Sequence, residues 1–132
     1  AAIALYPTAK FPQNRIGPQT GDKLRGPYLS WLAYYAGVME PAWVSKFMQV
    51  EVPRGTAGWV DADEVMTFVN RTLETGPYIL GETFSAVDIL VGTTFALFMG
   101  SPMLAKTPLL EAYVKRVVGR PAFARAQEKD HG

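Results

Sequence analysis

Apolar residues recur through most of this chain three and four positions apart, the spacing of a helix face. Leu24, Tyr28, Trp31, Tyr35, Val38 and Met39 form one such series, which predicts a helix that opens behind Asp22 as N-cap. The series reaches Pro41, where the helix should kink or restart, and a second segment carries Trp43, Val44, Phe47 and Met48. Pro53, Gly55 and Gly58 mark residues 49–59 as loop, after which Asp61 and Glu64 form a capping box flanked by a Val60/Val65 staple. That helix sets Val65, Met66, Val69 and Leu73 against a polar side of Asp63, Thr67, Asn70, Arg71 and Glu74, and Gly76-Pro77 ends it. Thr107-Pro108 opens a further helix with Leu109, Leu110, Tyr113, Val114, Val117 and Val118 inward, stopped at Gly119. Pro121 restarts a short one through Phe123 and Ala126. Residues 1–6 predict a last helical turn closed by Pro7, and residues 12–22 have loop composition. No segment alternates with the two-residue period of a strand, so the predicted class is all-α, a bundle of five to six helices.

The most complete local signal lies at residues 81–89. Ser85 and Asp88 have the spacing of a capping box, with Asp in place of the usual Glu, and Phe84 and Ile89 occupy the two staple positions. From Ile89 to Met99 the chain is nearly all apolar, with small residues at Gly92, Thr93, Thr94 and Ala96. This predicts a central helix buried on most of its surface.

At 132 residues the chain is long enough for one domain with a true core. Thirteen Lys plus Arg against twelve Asp plus Glu leave a near-neutral balance, and the cations are scattered, which argues against nucleic acid as a partner. No apolar run approaches the roughly 18 residues of a membrane span. Cysteine is absent, which removes disulfides, thiolate metal sites and a cysteine nucleophile. The single histidine, His131, sits next to the end, so histidine-dependent triads and histidine metal sites have no basis. The carboxylates at Asp61, Asp63, Glu64 and Asp88 all fall at helix starts, where capping and the helix dipole account for them. What remains is an aromatic and methionine stripe, Tyr28, Trp31, Tyr34, Tyr35, Met39, Trp43 and Phe47. Such a stripe builds either a bundle core or the wall of an apolar pocket with a few polar anchors.

Several stretches together resemble the C-terminal helical domain of the glutathione transferases, bacterial type. Phe84-Ser85-Ala86-Val87-Asp88 behind Gly81 is similar to the capping box and staple that start the family's central helix. Leu24 to Tyr28 with Trp31, then Gly37-Val38-Met39-Glu40-Pro41-Ala42, resembles its first long helix, and Arg120 to Ala126 resembles its C-terminal motif. The resemblance implies that residues 1–12 are the end of a preceding helix and an interdomain linker, and that residues 13–132 are the helical domain. It also implies an N-terminal thioredoxin-like domain outside this chain, which would hold the residue that activates glutathione, the cosubstrate.

On that likeness this chain alone binds no cofactor and no metal and has no catalytic residue. It would contribute the hydrophobic electrophile pocket and part of a homodimer surface to a cytoplasmic detoxification enzyme. Tyr28, Trp31, Tyr35 and Met39 are then the expected pocket wall, with at least two of them partly exposed, and Arg25 is a polar or intersubunit contact. The alternative is a noncatalytic module of the same fold that docks proteins.

Overall fold

A computed structural model describes residues 1–130, so His131 lies outside the described residues. Its helices are α1 (Ala2–Lys10), α2 (Arg25–Tyr34), α3 (Glu40–Met48), α4 (Ala62–Leu73), α5 (Ala86–Phe98), α6 (Pro108–Val118) and α7 (Pro121–Asp130). A π-helical turn, Tyr35–Met39, joins α2 to α3 without a break, so the described residues form six helical rods. The predicted all-α bundle is what the chain adopts.

Helix α5 is the centre. It packs on α6, α1 and α2, and buries Val87, Val91 and Phe95 completely. Its contact with α6 depends on Gly92, where a Cβ would lie 2.8 Å from the Val117 side chain. The two backbones approach closely because position 92 carries no side chain. Helix α4 closes another side with Val65, Met66, Val69 and Leu73 inward, and is tied to α6 by a 3.0 Å bond from Thr107 Oγ1 to Asn70 Oδ1. From α6, Leu110, Tyr113, Val114 and Val117 are buried, whereas Leu109 and Val118 are only partly covered. Helix α7 buries no residue and lies at the margin.

The start of α5 follows the sequence closely. Ser85 caps it with Oγ accepting from the Val87 amide at 3.2 Å, and the Asp88 carboxylate returns to the Ser85 amide at 2.8 Å, which completes the box. The staple is different: Ile89 is left 39 % exposed, and the Phe84 ring lies edge-on to Tyr78 at 5.4 Å with Arg120 above it at 3.5 Å. The connector before the cap is a tight double turn in which Tyr78 pairs with Gly81 and Leu80 with Thr83. Gly81 adopts φ +77°, and Gly76 sits so near it that a Cβ at 76 would meet the Gly81 backbone at 2.7 Å.

Other local expectations change. Helix α1 runs through Pro7 to Lys10. Thr8, just past the proline, is fully buried, with Oγ1 on the Ala4 carbonyl at 2.6 Å and 2.9 Å from the Tyr28 hydroxyl. Those contacts hold the last turn against the missing amide. Asp22 accepts from the Leu24 amide at 2.8 Å in the turn before α2, so the N-cap position itself falls to Leu24. At α4 Asp61 caps the Asp63 and Glu64 amides, but Glu64 turns both its oxygens to Arg54, at 3.0 and 3.2 Å, and the reciprocal half of that box goes unused.

Candidate functional site

Pro41 has no N–H to return to the Gly37 carbonyl, and in a regular helix its ring would crowd that oxygen. The π turn immediately before it relieves both, closing with a bond from the Glu40 amide to the Tyr35 carbonyl. Each residue of an α-helix advances about 100°. One extra residue in the turn therefore rotates all of α3 relative to α2 by about that angle. Glu40, Trp43, Val44 and Phe47 then share one face of α3 at the i, i+3, i+4, i+7 spacing, and Tyr35 joins them across the widened turn.

Opposite that face, Thr94, Leu97 and Phe98 project from the C-terminal half of α5, and between the two lies a groove of about 360 Å³ lined by these eight residues. Its floor is aromatic: Trp43, itself buried, stacks on Phe98 at 5.5 Å and 12° and meets Phe95 edge-on at 6.1 Å. Its lips are open, with Phe47 65 % and Leu97 83 % exposed. Its polar groups are few. The Tyr35 and Thr94 hydroxyls satisfy each other at 2.9 Å, Trp43 Nε1 is buried without a protein acceptor, and Glu40 is the one charged residue in the lining. Such a groove binds a flat apolar group and orients it, but supplies no nucleophile.

The predicted pocket wall divides. Tyr35 lines the groove. Tyr28 and Met39 are 0 % exposed and belong to the core, Tyr28 with its hydroxyl on Thr8, and Trp31 at 9 % is buried against neighbours on the other side. The expectation that at least two of the four would be partly exposed is thus met by Tyr35 alone. The cause is the π turn, since extending an unbroken 3.6-residue period from Tyr28 to Met39 ignores the rotation. Starting the period afresh at Glu40 finds Trp43, Val44 and Phe47, and the same spacing on α5 finds Thr94, Leu97 and Phe98. Arg25 donates to the Pro18 carbonyl at 2.9 Å and lies over the Tyr28 ring at 5.9 Å, which ties the 15–19 segment to α2.

Two further features bear on the site. Trp31, Tyr34 and Phe68 form an aromatic triangle on α2 and α4, with centroids 5.1 to 5.2 Å apart and Phe68 left 45 % exposed. A larger concavity of about 730 Å³ lies under the 50–60 loop, but its charges are committed, Lys46 to Asp63 at 2.8 Å and Arg54 to Glu64. The fully buried carboxylate, Asp88, is structural. It accepts from the Ile79 amide at 2.8 Å and the Tyr113 hydroxyl at 3.1 Å besides Ser85, and burial still holds its pKa above the ordinary carboxylate value. Burial, and then the Asp88 charge, push the Tyr113 phenol well up, so it stays a donor. No cluster of metal-binding side chains occurs among the described residues, and no helix there is long and apolar enough to cross a membrane.

No family model and no curated protein matches the sequence. Solved structures do. The chain has the glutathione transferase helical fold. It superposes with a TM-score of 0.75 on a bacterial glutathione transferase, BphK, solved as a ternary complex, at 23 % identity over 99 % of this chain and 66 % of that one. The glutathione transferase of Methylococcus capsulatus gives 0.75 at 22 % identity, over 98 % of this chain and 66 % of that one. A sphingomonad glutathione S-transferase complexed with glutathione gives 0.73 at 22 % identity, again over 98 % and 66 %. The chain therefore spans somewhat under two thirds of the length of these glutathione transferases.

Proposed function

We propose that this chain is the helical domain of a glutathione S-transferase and that the groove between α3 and α5 holds the electrophile. The observation that carries the reading is the open apolar groove itself, occurring in a chain whose fold is that of glutathione transferase structures. Tyr35, Trp43, Val44, Phe47, Leu97 and Phe98 form its wall, which replaces Tyr28, Trp31 and Met39 in that role. In this reading a preceding thioredoxin-like domain binds glutathione and removes its thiol proton. The thiolate attacks the electrophilic carbon held in the groove, a carbon–sulfur bond forms, and the leaving group departs with its electron pair. Rate enhancement comes from holding the two reactants together and from the lowered thiol pKa, to which this domain contributes the first.

Helix α1 and residues 11–12 belong on this view to the end of that preceding domain and the linker, and the enzyme is cytoplasmic, where its cosubstrate resides. The aromatic triangle of Trp31, Tyr34 and Phe68 is the natural centre of a homodimer surface, since aromatic side chains with an exposed edge are the residues that anchor such contacts.

Two measurements on the 132-residue chain test the proposal. Conjugation of glutathione to a chloronitrobenzene should be undetectable, and robust turnover would place thiol activation inside this chain and overturn the division of labour. A neutral apolar dye, N-phenyl-1-naphthylamine, should bind, and Leu97→Ser should weaken it at least threefold, because Leu97 is an exposed lip residue whose loss disturbs contact rather than folding. Unchanged dye binding in L97S would remove the groove from the reading and leave the noncatalytic docking module in its place.

A further inference from the structure

We infer that Glu40 makes the α3–α5 groove charge-selective, admitting flat uncharged apolar ligands and disfavouring those that carry an anionic group. The inference rests on the groove being the electrophile site, and names the class of electrophile that site takes.

The eight lining residues include aromatic and aliphatic side chains, two hydroxyls and one carboxylate, and no cation. A groove that received carboxylate- or sulfonate-bearing electrophiles would place a Lys or Arg at its edge. The nearest candidate along the helix, Lys46, is turned to the other side, where it lines the concavity under the 50–60 loop and holds Asp63 at 2.8 Å. Its charge is therefore committed away from the groove. Glu40 takes part in neither ion pair found among the described residues. The Tyr35 and Thr94 hydroxyls are bonded to each other at 2.9 Å, so neither offers a ready donor to an incoming anion. An anionic ligand would lose water on entering an apolar cleft, find no cation, and lie beside an uncompensated carboxylate.

The position of Glu40 follows from the backbone. Its amide closes the π turn on the Tyr35 carbonyl, and the rotation this introduces is what puts residue 40 on the same face as Trp43, Val44 and Phe47. Glu40 is exposed, so its field acts through partly aqueous surroundings and its effect has the scale of a surface charge pair, about three- to fivefold in affinity.

The test uses two dyes with one ring framework, neutral N-phenyl-1-naphthylamine and its sulfonate, 1-anilinonaphthalene-8-sulfonate, titrated into the whole chain. Wild type should bind the neutral dye more tightly. Glu40→Gln should leave the neutral dye within twofold of wild type and tighten the sulfonate about three- to fivefold. Raising salt should narrow the gap between the dyes in wild type and have less effect in E40Q. An unchanged ratio in E40Q, or both dyes tightening together, would overturn the inference while leaving the groove in place. If L97S leaves the binding of the neutral dye intact, the groove reading itself falls and takes the charge selectivity with it.

Discussion

Truncating Asp88 tests how the centre of this bundle is held. Its carboxylate receives the Ile79 and Ser85 amides, both at 2.8 Å, the Tyr113 hydroxyl at 3.1 Å and Ser85 Oγ at 3.3 Å, and the residue is 0 % exposed. Asp88→Ala strips the acceptor from two backbone amides and a phenol that water cannot easily reach. Each buried donor left unmade costs about 1–3 kcal/mol. The sum is reduced because the variant no longer buries a carboxylate, whose upward-shifted pKa shows that its burial is itself unfavourable. A net loss of about 3–4 kcal/mol is expected, a large share of the roughly 5–15 kcal/mol that holds a domain together. Asp61→Ala is the internal control. It also removes a cap bonded to two amides, at 2.8 and 2.9 Å, but at an exposed position where water takes over, so it should cost about 0.5–2 kcal/mol. Urea melts of the two variants against wild type, with m-values compared, measure the difference. A loss in D88A equal to or below that in D61A would refute the view that Asp88 joins the 78–84 connector, α5 and α6 as one unit.

Titration of the same group gives a second expectation. Because burial raises the Asp88 pKa in the folded chain above its value of 3.8, the unfolded chain releases this proton first, and the contribution of Asp88 to stability falls as pH rises from about 3.8 through the folded value. The stability of wild type minus that of Asp88→Asn should therefore shrink between pH 4 and pH 7 in denaturant melts, and growth of that difference would contradict the assigned direction. At the α5–α6 crossing, Gly92→Ala puts a methyl group 2.8 Å from Val117 and should cost about 1–3 kcal/mol, with most of the loss recovered in Gly92→Ala/Val117→Ala. Additive losses in the double variant would show that the two positions do not share the contact.

How far the sequence could be read depended on whether a signal was local. The Ser85/Asp88 box needs only a few consecutive residues, and the helix it starts is where the spacing placed it. Thr107, Pro108 and Gly119 likewise bounded α6 correctly, because an N-cap, a proline in the first turn and a terminating glycine act on their own backbone. The expected end of α1 at Pro7 failed for a nonlocal reason: Thr8 is held by Tyr28, twenty positions away in sequence, and that contact offsets the cost of the proline. The α4 box failed for another, since Arg54 competes for Glu64 from a loop with no helical period to reveal it.

The groove shows the same division within one helix. Tyr28, Trp31, Tyr35 and Met39 form a correct period, but a period locates a face only while the turn stays 3.6 residues wide. Pro41 announced a disturbance and left two outcomes open, a kink or a restart. The chain takes a third, a π turn that keeps the rod continuous and rotates its second half. That rotation sends Met39 into the core and turns Glu40, Val44 and Phe47 out, so the proline that looked like a boundary is what joins the two halves of the site. Tyr35, the last residue before the rotation, is the one member of the expected wall that remains at the groove, and its bond to Thr94 fixes the half-turn where α2, α3 and α5 meet. A continuous helix through the same residues would point Glu40 and Trp43 away from Leu97, and the chain would keep its core but have no cleft in which to hold an electrophile.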